Sequence, residues 1–384
     1  MSISLKHKTH HIHFIETQAD LNFCLQNIAN NIPIAIDLEF DHNMFRYGFQ
    51  LCLIQIATEK DCFLIDPFAI KNLEPLWQVL RNPQQLKILH AASEDIRLLK
   101  TLGCAIKPIF DTEIAARLLN LPKNSLQGIL ADMLAVEIEK GQQKSDWGKR
   151  PLTSNQLFYA ANDVIYLHKL HQKVLEELTK HQLLWIFEQE CEALTTKEIE
   201  AEDKRLKDLY ANCSEYEFFV ITQIHQLREN LAKKLNKPPA QIFSNDTVWE
   251  LLRNTQETLL NWYQLKGLHP KTKTDEFIGQ LEDTIENAQQ EAKDKHLSKE
   301  RKYSIRPSAE QRKLIDLEKE ANLFPIRNYL LGKYGEQAVT IIMSKKLIDM
   351  LVEKQTKISK LKPYQIQLIT ETAQQLSLDI SAYL

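Results

Sequence analysis

Glycine is scarce in this chain. Only nine occur in 384 residues, which excludes extended glycine-rich loops and flexible glycine linkers. Cysteine is limited to Cys24, Cys52, Cys62, Cys104, Cys191 and Cys213, with no CxxC pair among them. Neither Cys nor His shows zinc-ligand spacing, which disfavours zinc. Four of the six sit in apolar or amphipathic runs, so they read as reduced core thiols of a cytoplasmic protein. No stretch approaches the ~20 apolar residues of a membrane span, and the N-terminus lacks the apolar core of a signal peptide. A positive balance is missing too. The formal net charge is −3 and the pI near 6.5. That excludes a globally basic nucleic-acid binder but leaves room for a local basic groove, because phosphate responds to the nearby field.

Hydrophobic residues make up 43% and charged residues 26%, the balance of a soluble globular protein. The length predicts two or three domains. His10, His11 and His13 read as a solvated terminal segment rather than a metal site.

In the N-terminal half, apolar runs predict strands at Ile34–Phe40, Leu51–Thr58, Cys62–Asp66, Leu86–His90 and Ile106–Phe110. Helices are predicted at Asn72–Leu80, after an N-cap at Ser93 and up to Gly103, at Thr112–Leu119 and at Ser125–Leu134. Strands first paired as hairpins and then alternating with helices imply a mixed sheet covered by helices. Two acids interrupt the first of these strands, Asp37 and Glu39. A strand alternates faces, so both project from one side. Like charges side by side on an apolar strand are destabilising and call for a counter-charge. Water or a lysine or arginine would answer it, and so would a divalent cation.

Asp95 falls in the first turn of its helix, where an acid already complements the helix dipole, and Glu94 competes with it for any further role. The polar, basic loop from Gly141 to Pro151 carries Lys144, Lys149 and Arg150, which could contact phosphates. Its Trp147 either stacks on a base or anchors the loop, and anchoring is favoured for a single tryptophan. Thr153 and Gln156 then form a capping box opening a helix. Tyr159 and Asp163, four apart, share one face of it.

Together these segments resemble ribonuclease D, of the exonuclease superfamily with a D-E-D-D carboxylate set and a tyrosine. The resemblance rests on Asp37-Leu38-Glu39-Phe40, on Leu89-His90-Ala91-Ala92-Ser93-Glu94-Asp95, on Ser145-Asp146-Trp147 through Arg150-Pro151-Leu152-Thr153, and on Tyr159-Ala160-Ala161-Asn162-Asp163-Val164. It implies an α/β ribonuclease H-like domain, with a mixed five-stranded sheet and flanking helices. It also implies that Asp37, Glu39, Asp95 and Asp163 hold two divalent metal ions, Mg2+ or Mn2+, and that Tyr159 positions the attacking water. A sister group carries histidine five residues before the last aspartate; here Phe158 stands there, which fits the tyrosine class. Leu38 replaces the usual threonine, so an altered contact to the terminal nucleotide is expected. Leu38, Phe40, His90, Lys144, Trp147 and Arg150 are the expected substrate-binding residues.

Hydrolysis of a phosphodiester needs hydroxide beside an anionic phosphate and a stabilised leaving oxyanion, which two metal ions about 3.5–4 Å apart can supply. Hard Mg2+ or Mn2+ prefers oxygen ligands. In the expected arrangement Asp37 bridges the metals, Glu39 and Asp163 hold the one activating water, and Asp95 supports the other. Tyr159 orients the water, since an unperturbed phenol, with a pKa of about 10, is no base at neutral pH.

Beyond Leu170 the sequence reads as charged helices. The expected organisation is an exonuclease domain over 1–185, a helical connector over 186–213, a helical domain over 214–293, a charged linker over 294–306 and a second helical domain over 307–384. Both helical domains resemble the helicase-and-RNase-D C-terminal (HRDC) type. The first does so through Leu227-Arg228-Glu229, Pro238-Pro239, Leu251-Leu252 and Leu265-Lys266-Gly267-Leu268, the second through Ile326–Leu330 and Leu347–Leu351. Lys266, His269, Lys271 and Lys273, near Trp262 and Tyr263, form a local basic cluster. The resemblance implies a 3'→5' exoribonuclease releasing 5'-mononucleotides, acting on RNA and on precursor tRNA 3' ends in particular. A monomer without a membrane partner is expected. A DNA or dual-specificity exonuclease is the alternative, and an inactive nucleic-acid-binding protein the third reading.

Overall fold

The structure, a computed structural model, describes residues 4–6, 10–28, 33–138, 141–198, 202–301 and 308–384. Two compact units result. The first comprises Met1–Glu39, Leu51–Glu198 and Pro307–Leu384, the second Phe40–Gln50 and Ile199–Arg306.

A seven-stranded mixed sheet organises the N-terminal half. Its strands are β1 (Ser4–Lys6), β2 (His11–Ile15), β3 (Ile34–His42), β4 (Phe49–Ala57), β5 (Asp61–Ile65), β6 (Lys87–Leu89) and β7 (Ile109–Asp111), in the spatial order β1-β2-β5-β4-β3-β6-β7. β3 lies near the middle, parallel to β6, while β4 and β5 are antiparallel. The apolar start of β3 explains that place, since Ile34, Ala35 and Ile36 are fully buried.

Five strands were expected, and the sheet has two more. His11–Ile15 pairs parallel to β5, from His11↔Asp61 to Ile15↔Ile65, and β1 pairs antiparallel to β2. The segment is therefore part of the sheet rather than a solvated terminus, although His11 itself is exposed. His13 Nε2 bonds Asp61 Oδ1 at 2.8 Å and stacks on Phe63, and His10 bonds the Thr58 carbonyl. A five-residue strand whose partner lies about fifty positions on has little local signal beyond alternating Ile12 and Phe14.

Among the described residues, eight helices complete this half: α1 (Gln18–Ile28), α2 (Glu74–Arg81), α3 (Ser93–Thr101), α4 (Thr112–Leu118), α5 (Leu126–Leu134), α6 (Ser154–Ile165), α7 (Leu167–Lys180) and α8 (Leu184–Thr196). α6 begins where expected, with the Thr153–Gln156 capping box formed. Leu157, Ala160, Ala161 and Val164, at i, i+3, i+4 and i+7, are its buried stripe. Ser93 is not the cap of α3. That position is Ala92, with no side-chain cap. The role passes to the buried carboxylate of Asp111, which accepts from the N–H groups of Ala91 and Ala92 at 3.0 and 2.9 Å. The same carboxylate caps α4 through Glu113 N–H at 2.8 Å.

The second unit is helical: α9 (Glu202–Leu209), α10 (Glu215–Leu235), α11 (Pro239–Ile242), α12 (Asn245–Arg253), α13 (Thr255–Leu260) and α14 (Asp275–Asp294). Ile221, Ile224, Leu251, Trp262, Leu281 and Ile285 are in its core. α14 ends at Asp294, where the expected linker begins, and the linker's residues 302–306, like 199–201 of the connector, lie outside the described residues.

The last helices are α15 (Ala309–Glu318), α16 (Phe324–Tyr334), α17 (Glu336–Ile342), α18 (Lys345–Val352) and α19 (Pro363–Gln375). They belong to the first unit. Asn120 Oδ1 accepts from Gln337 N–H at 2.8 Å, and Arg117 Nη2 donates to Thr340 Oγ1 at 2.9 Å. Lys362 Nζ lies 2.7 Å from both oxygens of Glu190, which Tyr364 Oη also meets.

Candidate active site

Alternation along β3 turns Asp37 and Glu39 to one side of the sheet. α6 brings Asp163 to them. One oxygen from each of the three lies within 4.8 Å of the other two. Asp95 enters from the first turn of α3, buried at 7% exposure, and its charge acts on Glu39 while that of Asp37 acts on it. Among the described residues no lysine or arginine forms an ion pair with any of the four.

Burial and mutual repulsion dominate the electrostatics. Burial pushes the Asp37 carboxyl up to about 7. Burial and then the Asp37 charge push Asp163 up to about 9. Glu39 is held well above the carboxylate range by burial and by Asp37, Asp163 and Asp95, in that order. Asp95 is raised likewise, by burial and then Asp37. Such a cluster needs protons or a cation. Three adjacent carboxylate oxygens, with a fourth acid beside them, fit a hard divalent ion. Tyr159 is kept a neutral phenol by burial and by Asp163, Glu39 and Asp37, against a smaller opposing effect of the nearby Gln143 side chain.

The expected substrate-binding residues do not share one fate. Lys144 is exposed. His90 Nδ1 lies 2.9 Å from Thr112 Oγ1, and burial lowers the imidazole's basicity. Phe40 packs edge-on against Phe49, 5.1 Å between centroids. Leu38, expected to touch a terminal nucleotide, is instead buried at 4% exposure, because it is one step out of phase with the carboxylates. Trp147 is buried at 2%, its ring 6.1 Å from that of Tyr159, so it anchors the loop rather than offering a face to a base. Arg150 is turned inward. Its Nε and Nη2 meet both oxygens of Asp66, Nη2 also meets the Cys52 carbonyl, and Nη1 meets the carbonyls of Trp147 and Lys149. All five of its donors are used, which removes it as a phosphate ligand. The sequence reading missed Asp111, Gln143 and Asp66. Asp111 alone had a local signal, as a helix-capping residue just after a strand.

Residues 12–179 match the family described as 3'-5' exonuclease. Ribonuclease D of Sphingobium indicum is 31% identical over 266 residues, covering 67% of this chain and 68% of that protein. Ribonuclease D of Shewanella sp. is 34% identical over 179 residues, covering 46% of each. The chain thus spans from about half to two thirds of the length of these curated relatives. The crystal structure of Escherichia coli RNase D, an exoribonuclease involved in structured RNA processing, superposes with a TM-score of 0.73 at 24% identity, covering 94% of this chain and 98% of that one. It shares the fold.

Proposed function

This chain belongs to the ribonuclease D family, and we propose on that premise that its acidic cluster is the active centre of a 3'→5' exoribonuclease releasing 5'-mononucleotides. The observation that carries the reading is the meeting of Asp37, Glu39 and Asp163 within 4.8 Å, with Asp95 coupled to them by charge. These four side chains would hold two divalent ions, Mg2+ or Mn2+. Such ions, when bound, polarise water and offset the charge of a phosphodiester. The chain's own residues do the rest. β3 and α6 fix the carboxylates before substrate arrives, which lowers the reorganisation needed at the reaction. Tyr159, held neutral, donates its phenolic proton as a hydrogen bond and so orients water rather than deprotonating it.

The substrate is RNA with a free 3' end, and precursor tRNA is the substrate class suggested by the family. The helical regions 214–293 and 307–384 are proposed as HRDC-type modules, and the protein as a monomer. Six buried free thiols support a cytoplasmic setting. The test is digestion of RNA and of matched DNA 3' overhangs with Mg2+, using Asp37→Asn and Asp163→Asn. Each substitution should lower kcat by at least ~10²–10³-fold, the scale for losing one preorganised electrostatic group. Turnover near wild type in either would refute the assignment, and equal digestion of DNA would refute the RNA preference.

A further inference from the structure

We propose that Asp66 and Arg150 are positioning residues that hold the 142–150 loop, and through it Tyr159, in its working place. Asp66 follows β5 directly, its side chain 4% exposed. Its main-chain N–H is bound to the Ile15 carbonyl at 2.9 Å, and its Oδ1 accepts from Phe68 N–H at 2.9 Å. The carboxylate is therefore a fixed point of the sheet. Arg150 grips it as a fork, Nε to Oδ2 at 2.5 Å and Nη2 to Oδ1 at 2.9 Å. Phe68 lies under the guanidinium, 4.7 Å from ring centroid to Cζ.

The remaining donors tie the loop down. Nη2 reaches the Cys52 carbonyl of β4 at 2.7 Å, and Nη1 the carbonyls of Trp147 and Lys149 at 2.7 and 3.0 Å. A planar, rigid fork can serve these directions at once; a lysine amine cannot. Trp147, so fixed, stands beside Tyr159 with ring centroids 6.1 Å apart, and Gln143 of the same loop lies near the phenol. Asp66 and Arg150 thus stand outside the acidic cluster, yet they set where the phenol stands. Small displacements near reacting groups are costly in rate.

The activity arm of the test rests on the exoribonuclease reading; a second arm does not. Asp66→Asn and Arg150→Lys should each lower kcat by roughly 10- to 100-fold, with KM and RNA affinity within about twofold of wild type. The double variant should fall little below either single one, because both break the same lock. Phe68→Ala removes a side chain 44% exposed, which keeps the fold safe, and should give a smaller loss of the same kind. In hydrogen exchange, amides of 141–153 should exchange faster in all four variants, with the rest of the chain unchanged. Wild-type kcat in Arg150→Lys, or a raised KM at unchanged kcat, would overturn the proposal and return Arg150 to substrate binding. Unchanged exchange in 141–153 would overturn it as well. If wild type itself cleaves no RNA, the exchange arm still decides the lock, and only the functional reading fails.

Discussion

Asp37, Glu39, Asp95 and Asp163 carry the same charge into one buried place, and chemistry there depends on what neutralises them. Folded-state pKa values of about 7 for Asp37 and about 9 for Asp163 stand above the ~4 of an unfolded aspartate. The unfolded chain therefore loses these protons first. Stability that is full at acid pH is lost as pH climbs from about 4 through about 9. A divalent cation replaces the protons and should restore it. Calorimetry with EDTA or with Mg2+ should then show a metal-dependent rise in Tm that is larger at pH 8 than at pH 5. Without metal, Asp163→Asn should melt higher than wild type at pH 8. A rise of equal size at both pH values would rule out this linkage. Sequence alone pointed to the four acids and Tyr159, because each sits in a motif of a few adjacent residues, and the structure brings three of the acids together. It could not show that Leu38 is buried or that Arg150 is held by Asp66, because both depend on what lies across the sheet.

At the scale of elements, two buried polar hubs set how helices begin and pack. Asp111 serves three main-chain N–H groups around the starts of α3 and α4. Ala91, just before α3, has a left-handed φ of 55°, which this hub compensates. Bonds to a charged acceptor contribute about 1.5–3 kcal/mol each when lost with burial. Asp111→Ala should therefore cost about 3 kcal/mol or more in denaturant unfolding and also reduce kcat, since α3 carries Asp95. A variant as stable as wild type would remove Asp111 from this role. In the helical unit, Arg228 Nη2 donates to His225 Nδ1 at 2.8 Å, so the imidazole proton sits on Nε2 and points to Tyr210 Oη at 2.7 Å. Burial, then the Arg228 charge, lowers His225 to about 3. A histidine depressed in the folded state stabilises above its unfolded pKa of about 6.5 and loses that contribution as pH falls toward 3. Its ring resonances should stay untitrated from pH 7 to pH 4; a midpoint near 6.5 would show that the cluster is open.

For the whole molecule, 307–384 belongs to the same compact unit as the sheet. Asn120 with Gln337, Arg117 with Thr340 and Glu190 with Lys362 join it there. Deleting 307–384 should lower the Tm and increase aggregation, because the apolar face of α4 that α17 covers with Ala338, Val339 and Ile342 would be laid open to water. A truncated chain that melts like the full one would show the segment to be an appended module. The sequence by itself pointed to the strands β3–β7, to the capped helix α6 and to the acids Asp37, Glu39 and Asp163 that the structure brings together, since alternation, capping and short motifs act over a few residues. Only the tertiary structure decided that β2 joins the sheet, that Asp111 rather than Ser93 opens α3, and that Arg150 faces inward. Each of those depends on a partner between 19 and 84 positions away, and no local pattern reports which distant group a buried charge or a short strand will meet.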